Sequence, residues 1–312
     1  MNIPDFPRIK IKDYVSKLSN KIRVLSDEDF NITENSLEII SKKLNYSTKT
    51  LKTYIRHKKY PLFFIKELNK LLDKNIFYDI ENSETSFISK WKVVNLPKYL
   101  TPRLAYFVGY LQGDGSIQSN KKRMDFTDED SKQIEMINEL CLDLFNIEGR
   151  IYSQDSRISK KPMYRLDIGS LVLNSYLHKI FGINRGKKHN LRIPNIFKNN
   201  REILRWYLVG LFDADGTLPK NPDKCKQLFV DITLKDKEFI EELKSSLKLF
   251  DIHTLKPYCR VAKSPTSDTI SKTWELRIRK KDMIIRFLNE VGFSHPVKSK
   301  RAEKLLQIYA PG

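Results

Sequence analysis

From Leu100 onward, apolar residues recur in two registers that take turns. Strict alternation at Tyr164, Leu166 and Ile168, at Leu228, Val230, Ile232 and Leu234, and at Trp274, Leu276 and Ile278 sends every second side chain to one face, the period of a half-buried strand. Their polar partners, Arg165 and Asp167, Gln227 and Asp231, then Glu275, Arg277 and Arg279, make the opposite faces charged. Between these strands the spacing becomes helical. The predicted order is a helix ending at Asp-Gly, two strands (about 116–127), a helix (129–145), two strands (150–168) and a last helix (171–181). The same order follows again, with strands at about 217–234, a helix at 236–250, strands at 256–279 and a helix at 281–291.

The recurrence is a repeat in the sequence itself. FVGYLQGDGSI runs from Phe107 to Ile117 and LVGLFDADGTL from Leu208 to Leu218, so that Gly109 matches Gly210 and Asp114 matches Asp215 at an offset of 101. LFNI from Leu144 matches LFDI from Leu249 at an offset of 105, and Tyr164–Ile168 matches Trp274–Ile278 at 110, as do Gly182 with Gly292 and Lys188 with Lys298. Loop insertions in the second copy produce such a drift. Gly109 with Gly113, and Gly210 with Ala214, put small residues one turn apart on one face of each motif helix, which lets two helices approach closely. Pairing the helices on those faces brings Asp114 and Asp215 side by side at a pseudo-two-fold axis.

Upstream, Leu37, Ile40, Leu44, Leu51, Tyr54, Ile55, Ile65 and Leu68 keep helical spacing and predict three short helices. Asn45-Tyr46-Ser47 connects the first two, and Ser47 is placed to cap a helix from Thr48 to about His57. This segment resembles the helix-turn-helix of phage-repressor-type DNA-binding domains, with Thr48, Lys49, Lys52, Thr53 and Arg56 presented to a major groove. A small helical bundle with solvated lysines is the alternative. From Asp73 to Asn95 the periodicity fades into polar text, which marks a linker.

Charge narrows the partners. The 312 residues carry a formal net charge of +19, spread over both sides of Asn95, which points to a polyanion. No apolar run approaches the roughly 20 residues needed to span a bilayer, and no signal peptide is visible, so nucleic acid is favoured over a membrane. Cys141, Cys225 and Cys259 have no metal-ligand spacing and read as buried thiols of a cytoplasmic protein; the five histidines are scattered.

The two motifs, their spacing and the αββαββα order resemble the LAGLIDADG homing endonucleases, specifically the single-chain kind. The resemblance implies an α+β protein: two pseudo-symmetric αββαββα subdomains (99–198 and 199–312) forming a DNA-binding saddle, behind a small all-α, helix-turn-helix-like domain (1–78) and a linker (79–98). Gln112 departs from the motif where the second copy has Asp213, and Gly113 stands in place of Ala214. Two adjacent carboxylates repel unless a cation lies between them, and Mg²⁺ (or Mn²⁺) suits oxygen ligands and phosphates. By resemblance Asp114 and Asp215, with the backbone at Gly113 and Ala214, hold the metal; Lys188 and Lys298 are the candidate catalytic lysines, with Lys187 and Lys300 as rivals. The sheets would read duplex DNA at a long, asymmetric site through Gln118, Arg123, Arg165 and Asp167 in one copy and Lys226, Gln227, Arg260, Arg277 and Arg279 in the other. Asp213, whose counterpart is Gln112, reads as a helix-end residue. A monomer cutting both strands is expected; a non-cleaving regulator or an intron RNA maturase on the same scaffold is the alternative. The ends, Met1 and Tyr309 to Gly312, lack the residues that self-splicing needs, so a free-standing rather than intein-embedded chain is expected.

Overall fold

The computed structural model describes residues 3–28, 30–72, 74–89, 92–120, 122–155, 162–263 and 270–309; the chain ends that bear on splicing, and the strand connections 156–161 and 264–269, lie outside them. The chain begins with β1 (Ile9–Lys10), α1 (Tyr14–Lys17) and β2 (Arg23–Leu25). Then come α2 (Glu34–Leu44) and α3 (Thr48–Arg56), joined through Asn45 in the left-handed region. Each is N-capped by a hydroxyl: Thr33 accepts from the Ser36 amide at 3.2 Å, and Ser47 accepts from the Thr50 amide at 3.1 Å. β3 (Lys59–Pro61), α4 (Leu62–Leu71) and α5 (Ile76–Asn82) follow.

Two expectations for this region are corrected. Strands β4 (Ser86–Ser89) and β5 (Lys92–Val94) lie within the segment expected to be a linker, and with β2 and β3 they form an antiparallel sheet of order β3-β2-β4-β5, so the region is not all-helical. Phe87 and Val94 are buried, Phe87 edge-on against the Tyr14 ring of α1, which ties down text that looks merely polar. The region is also docked. β6 (Tyr99–Leu100) pairs with β1, and the Asn95 amide donates to the Phe145 carbonyl at 3.0 Å.

The two copies follow the predicted order. The first is α6 (Pro102–Gly113), β7 (Gly115–Ile117), β8 (Arg123–Asp128), α7 (Ser131–Phe145), β9 (Arg150–Gln154), β10 (Met163–Gly169) and α8 (Leu171–Phe181). After the short α9 (Asn195–Lys198), the second is α10 (Arg201–Asp215), β11 (Gly216–Thr217), β12 (Val230–Leu234), α11 (Lys237–Lys248), β13 (Tyr258–Lys263), β14 (Ile270–Ile278) and α12 (Lys281–Glu290). Their sheets have the equivalent orders β7-β8-β10-β9 and β11-β12-β14-β13, all antiparallel. Met124, Phe126, Leu166 and Ile168 bury one face of the first; Val230, Ile232, Leu276 and Ile278 bury the same face of the second. The long strand pair predicted at 217–234 is shorter. Pro219 and Pro222 supply no N–H for a ladder, and the chain makes a 3-10 turn at Pro222–Lys224 before β12 begins. An unpredicted helix, α13 (Pro296–Tyr309), closes the chain against that turn.

Candidate active site

The site is built on the contact between α6 and α10, whose backbones touch. A Cβ added at Gly109 would land on the Tyr207 carbonyl oxygen, and one at Gly210 on the Tyr106 carbonyl oxygen, so only glycine allows this approach. One turn on, a Cβ at Gly113 would meet that of Ala214. Both helices therefore end together, and their last residues bring the half-buried Asp114 and Asp215 into one place.

That place is electrostatically hostile to carboxylates. Each sits at a helix C-terminus, where the macrodipole is negative. Burial, then the Asp215 charge beside it, pushes the Asp114 carboxyl up from 3.8 to about 7; burial also raises Asp215. Two lysines offset part of this. The Lys188 ammonium donates to the Gln112 carbonyl at 2.9 Å and to the Gly113 carbonyl, the last acceptors of α6. Lys298 does the same for α10, donating to the carbonyls of Phe212 at 3.2 Å, Asp213 at 2.5 Å and Ala214 at 2.8 Å. Desolvation lowers both lysine pKa values although the aspartates pull them up. The rivals Lys187 and Lys300 are exposed, and among the described residues neither ammonium donates to a carbonyl at these helix ends.

Buried between the helices is a crossed pair of hydrogen bonds. The Tyr106 hydroxyl of α6 donates to Asp213 at 2.8 Å, and the Tyr207 hydroxyl of α10 donates to Gln112 at 2.9 Å. Asp213 also accepts from the Ser294 amide at 3.0 Å, while Gln112 donates to the Arg192 carbonyl at 2.9 Å. Each side chain thus ties its helix end to the loop that delivers a lysine. Asp213 is fully buried and raised to about 6 by that burial, and its partners are protein groups, as a helix-end role requires.

A fourth carboxylate, Asp128, breaks the symmetry. Asp128 accepts from the Tyr110 hydroxyl at 2.7 Å and from His295 Nε2 at 3.2 Å; His295 Nδ1 accepts from the Val297 amide at 3.1 Å, which leaves the proton on Nε2. His295 opens α13, so the first copy holds the helix that carries Lys298. Sequence reading missed Asp128, His295 and both tyrosines. Only the matching positions of Tyr106 and Tyr207 in the repeat signalled them.

Among the described residues no group of three or more His, Cys, Asp or Glu side chains is arranged to hold a metal, so any metal here rests on two carboxylates. The donor set nevertheless fits one: burial raises the proton affinity of both carboxylates, the Asp215 charge raises that of Asp114 further, and Lys188 and Lys298 offset this only in part. No helix is long and apolar enough to cross a membrane among the described residues.

A LAGLIDADG-like domain model matches residues 101–184 and 202–292, more than half of the chain and both repeat copies. The chain belongs to the LAGLIDADG-like family. It is 30% identical over 214 residues to a glutamine–fructose-6-phosphate aminotransferase of Methanocaldococcus jannaschii, covering 68% of this chain and 18% of the relative. It is 25% identical over 308 residues to a replication factor C small subunit of the same organism, covering 93% of this chain and 15% of the relative. The chain thus spans less than a fifth of either relative's length. Similar solved structures include the homing endonuclease I-DmoI (16% identity, TM-score 0.43, 65% of this chain and 97% of that one). Another is the full-length DUF199/WhiA protein from Thermatoga maritima (15%, 0.44, 68% and 61%).

On the LAGLIDADG sheets, the candidate reading residues lie on the faces away from the core, but many are already engaged. Arg123 pairs with Asp167 at 3.2 Å and Arg165 with Asp125 at 3.4 Å. In the second copy Arg277 pairs with Asp231 at 2.7 Å and Glu275 at 2.9 Å, and Arg260 also pairs with Glu275. Gln118 follows β7, half-buried, and the exposed Lys226, Gln227 and Arg279 fall outside the strands. Lys49, Lys52 and Arg56 share the exposed side of α3, with Lys52 paired to Glu34 at 2.8 Å; Thr48 and Thr53 are half-buried.

Proposed function

We propose that this chain is a site-specific, metal-dependent DNA endonuclease that acts as a monomer in the cytoplasm. The observation that carries the reading is the meeting of Asp114 and Asp215 at the joined ends of α6 and α10, each helix end capped by its own lysine. Asp114 and Asp215, with the Gly113 and Ala214 backbone, would hold Mg²⁺ or Mn²⁺. When bound, such a metal polarises a phosphodiester and lowers the pKa of a water. Lys188 and Lys298 keep positive charge where negative charge develops on the phosphate, in a desolvated setting that strengthens it. The sheets and α3 supply the long, asymmetric grip on duplex DNA. Segments similar to this chain occupy small parts of proteins as unlike as an aminotransferase, a replication factor C small subunit and an ATP synthase subunit, as a mobile coding module would.

The test is a cleavage selection on a genomic or randomised duplex library, with Mg²⁺, Mn²⁺ or EDTA. Metal-dependent recovery of ends from one long sequence is expected. Retained DNA binding with no cut ends under either metal would instead identify a silent regulator or maturase.

A further inference from the structure

Much of the positive charge on the LAGLIDADG sheets is neutralised by carboxylates on the same faces, so the excess charge of the chain concentrates elsewhere. One such place is a cavity of about 450 Å³ walled by the start of α7, the loop after β11 and the first turns of α13. Lys132, Lys220, Lys300, Arg301 and Lys304 line it against one carboxylate, Asp130. Among the described residues none of these five cations makes an ion pair. The Asp130 carboxylate is itself occupied, accepting from the Lys132 amide at 3.0 Å as the cap of α7. Two helix N-termini, those of α7 and α13, meet at the same cavity and add partial positive charge.

Five unpaired cations around one open cavity repel one another and stay together at a cost, which a multiply charged anion removes. The helix that contributes three of them also delivers Lys298 to the end of α10. Among the described residues the first copy has no equivalent helical wall, because the chain after α8 passes through Lys188 as irregular structure. We propose that this cavity is a phosphate cradle, holding the backbone of one DNA strand beside the Asp215 half of the site and leaving the other strand without such a hold. This rests on the nuclease reading for its location relative to the cut, but not for its charge.

The experiment uses the full chain and the combined variant Lys220→Ala, Lys300→Ala and Lys304→Ala, whose folding is checked by a cooperative melting curve with a midpoint no lower than that of wild type. Binding to a 30-bp duplex, recovered from the library by binding or by cleavage, is titrated against salt, and methylphosphonate linkages are placed one at a time along the whole of each strand. The plot of log affinity against log salt should flatten by up to about 3, roughly 0.9 for each phosphate that the variant no longer neutralises. Neutral linkages should weaken wild-type binding at a cluster on one strand, and the variant should be insensitive to that cluster. An unchanged slope, or equal sensitivity on both strands, would overturn the cradle even if wild-type protein cuts DNA. A flattened slope and one-strand sensitivity in a protein that binds but never cuts would uphold the cradle and overturn the nuclease reading.

Discussion

The two LAGLIDADG copies solve one mechanical problem with different chemistry. In both, a tyrosine from the opposite helix bonds the residue before the small-Asp pair, and a lysine seals the helix end. The first copy uses a neutral Gln112 and a lysine on a loop; the second uses a buried Asp213 and a lysine on α13, which Asp128 and His295 fasten to the first copy. Features that set how closely the helices approach are matched, whereas features that set charge and stiffness around each carboxylate are not. The pseudo-two-fold axis is therefore a symmetry of packing and not of electrostatics.

The largest effect should come from the carboxylates. Asp114→Asn and Asp215→Asn should each reduce double-strand cleavage by about 10³-fold or more, on the scale of losing a primary catalytic group, with DNA affinity little changed. A single mutant cutting at the wild-type rate would remove that aspartate from the metal site. Stability should move the other way. Because the folded Asp114 keeps its proton up to about pH 7 and an unfolded one only to 3.8, stability falls as pH rises between these values. Metal-free Asp114→Asn should thus melt above wild type at pH 8, the gap closing by pH 4.

Next come the lysines, which compare the halves directly. Lys188→Met and Lys298→Met should each slow one strand's nick by about 10²-fold, on the scale of one charge-stabilising group, and each should affect a different strand. Strand-labelled time courses distinguish this from a shared role, in which both nicks slow alike. His295→Ala should reproduce a weakened Lys298→Met and spare the Lys188 strand, since it loosens only the α13 anchor.

Smaller effects fall on stability, read by denaturant unfolding. Gly109→Ala and Gly210→Ala should each cost about 2–3 kcal/mol, and equally, because each new methyl meets opposing backbone that cannot step aside. Tyr106→Phe should cost more than Tyr207→Phe, about 1.5–3 against 0.5–1.5 kcal/mol, because the first leaves a buried carboxylate short of a donor and the second only an amide. Equal losses would mean that Asp213 is protonated and behaves as Gln112 does.

The repeat was readable because Gly109, Gly113, Asp114 and their counterparts impose a spacing that survives loop insertions. The lysines were readable for the same reason, as one offset carries Lys188 onto Lys298. Cross-helix bonds such as Tyr106 to Asp213 were not, since partners 107 positions apart leave no local period. Strands β4 and β5 are a few residues long and carry one or two inward apolar side chains each, too little alternation to rise above the polar text around them. Periodicity also located the charged sheet faces without showing that their arginines are answered by carboxylates on neighbouring strands, which is a matter of register.

The docking of the N-terminal region has a metric meaning. Tyr14 packs edge-on against Tyr176 of α8 at 5.8 Å, the Ser19 amide donates to the Ser175 hydroxyl at 3.2 Å, and the Tyr176 hydroxyl donates to the Pro97 carbonyl at 2.8 Å. If α3 reads DNA and the body cuts it, as proposed, a head fastened this way would work as a ruler. With α3 in a major groove, its half of the target must lie in fixed phase with the cut. An insertion of five base pairs between them, about half of a 10.5-bp turn, would carry that groove to the far side of the duplex, and ten would bring it back in phase but out of reach.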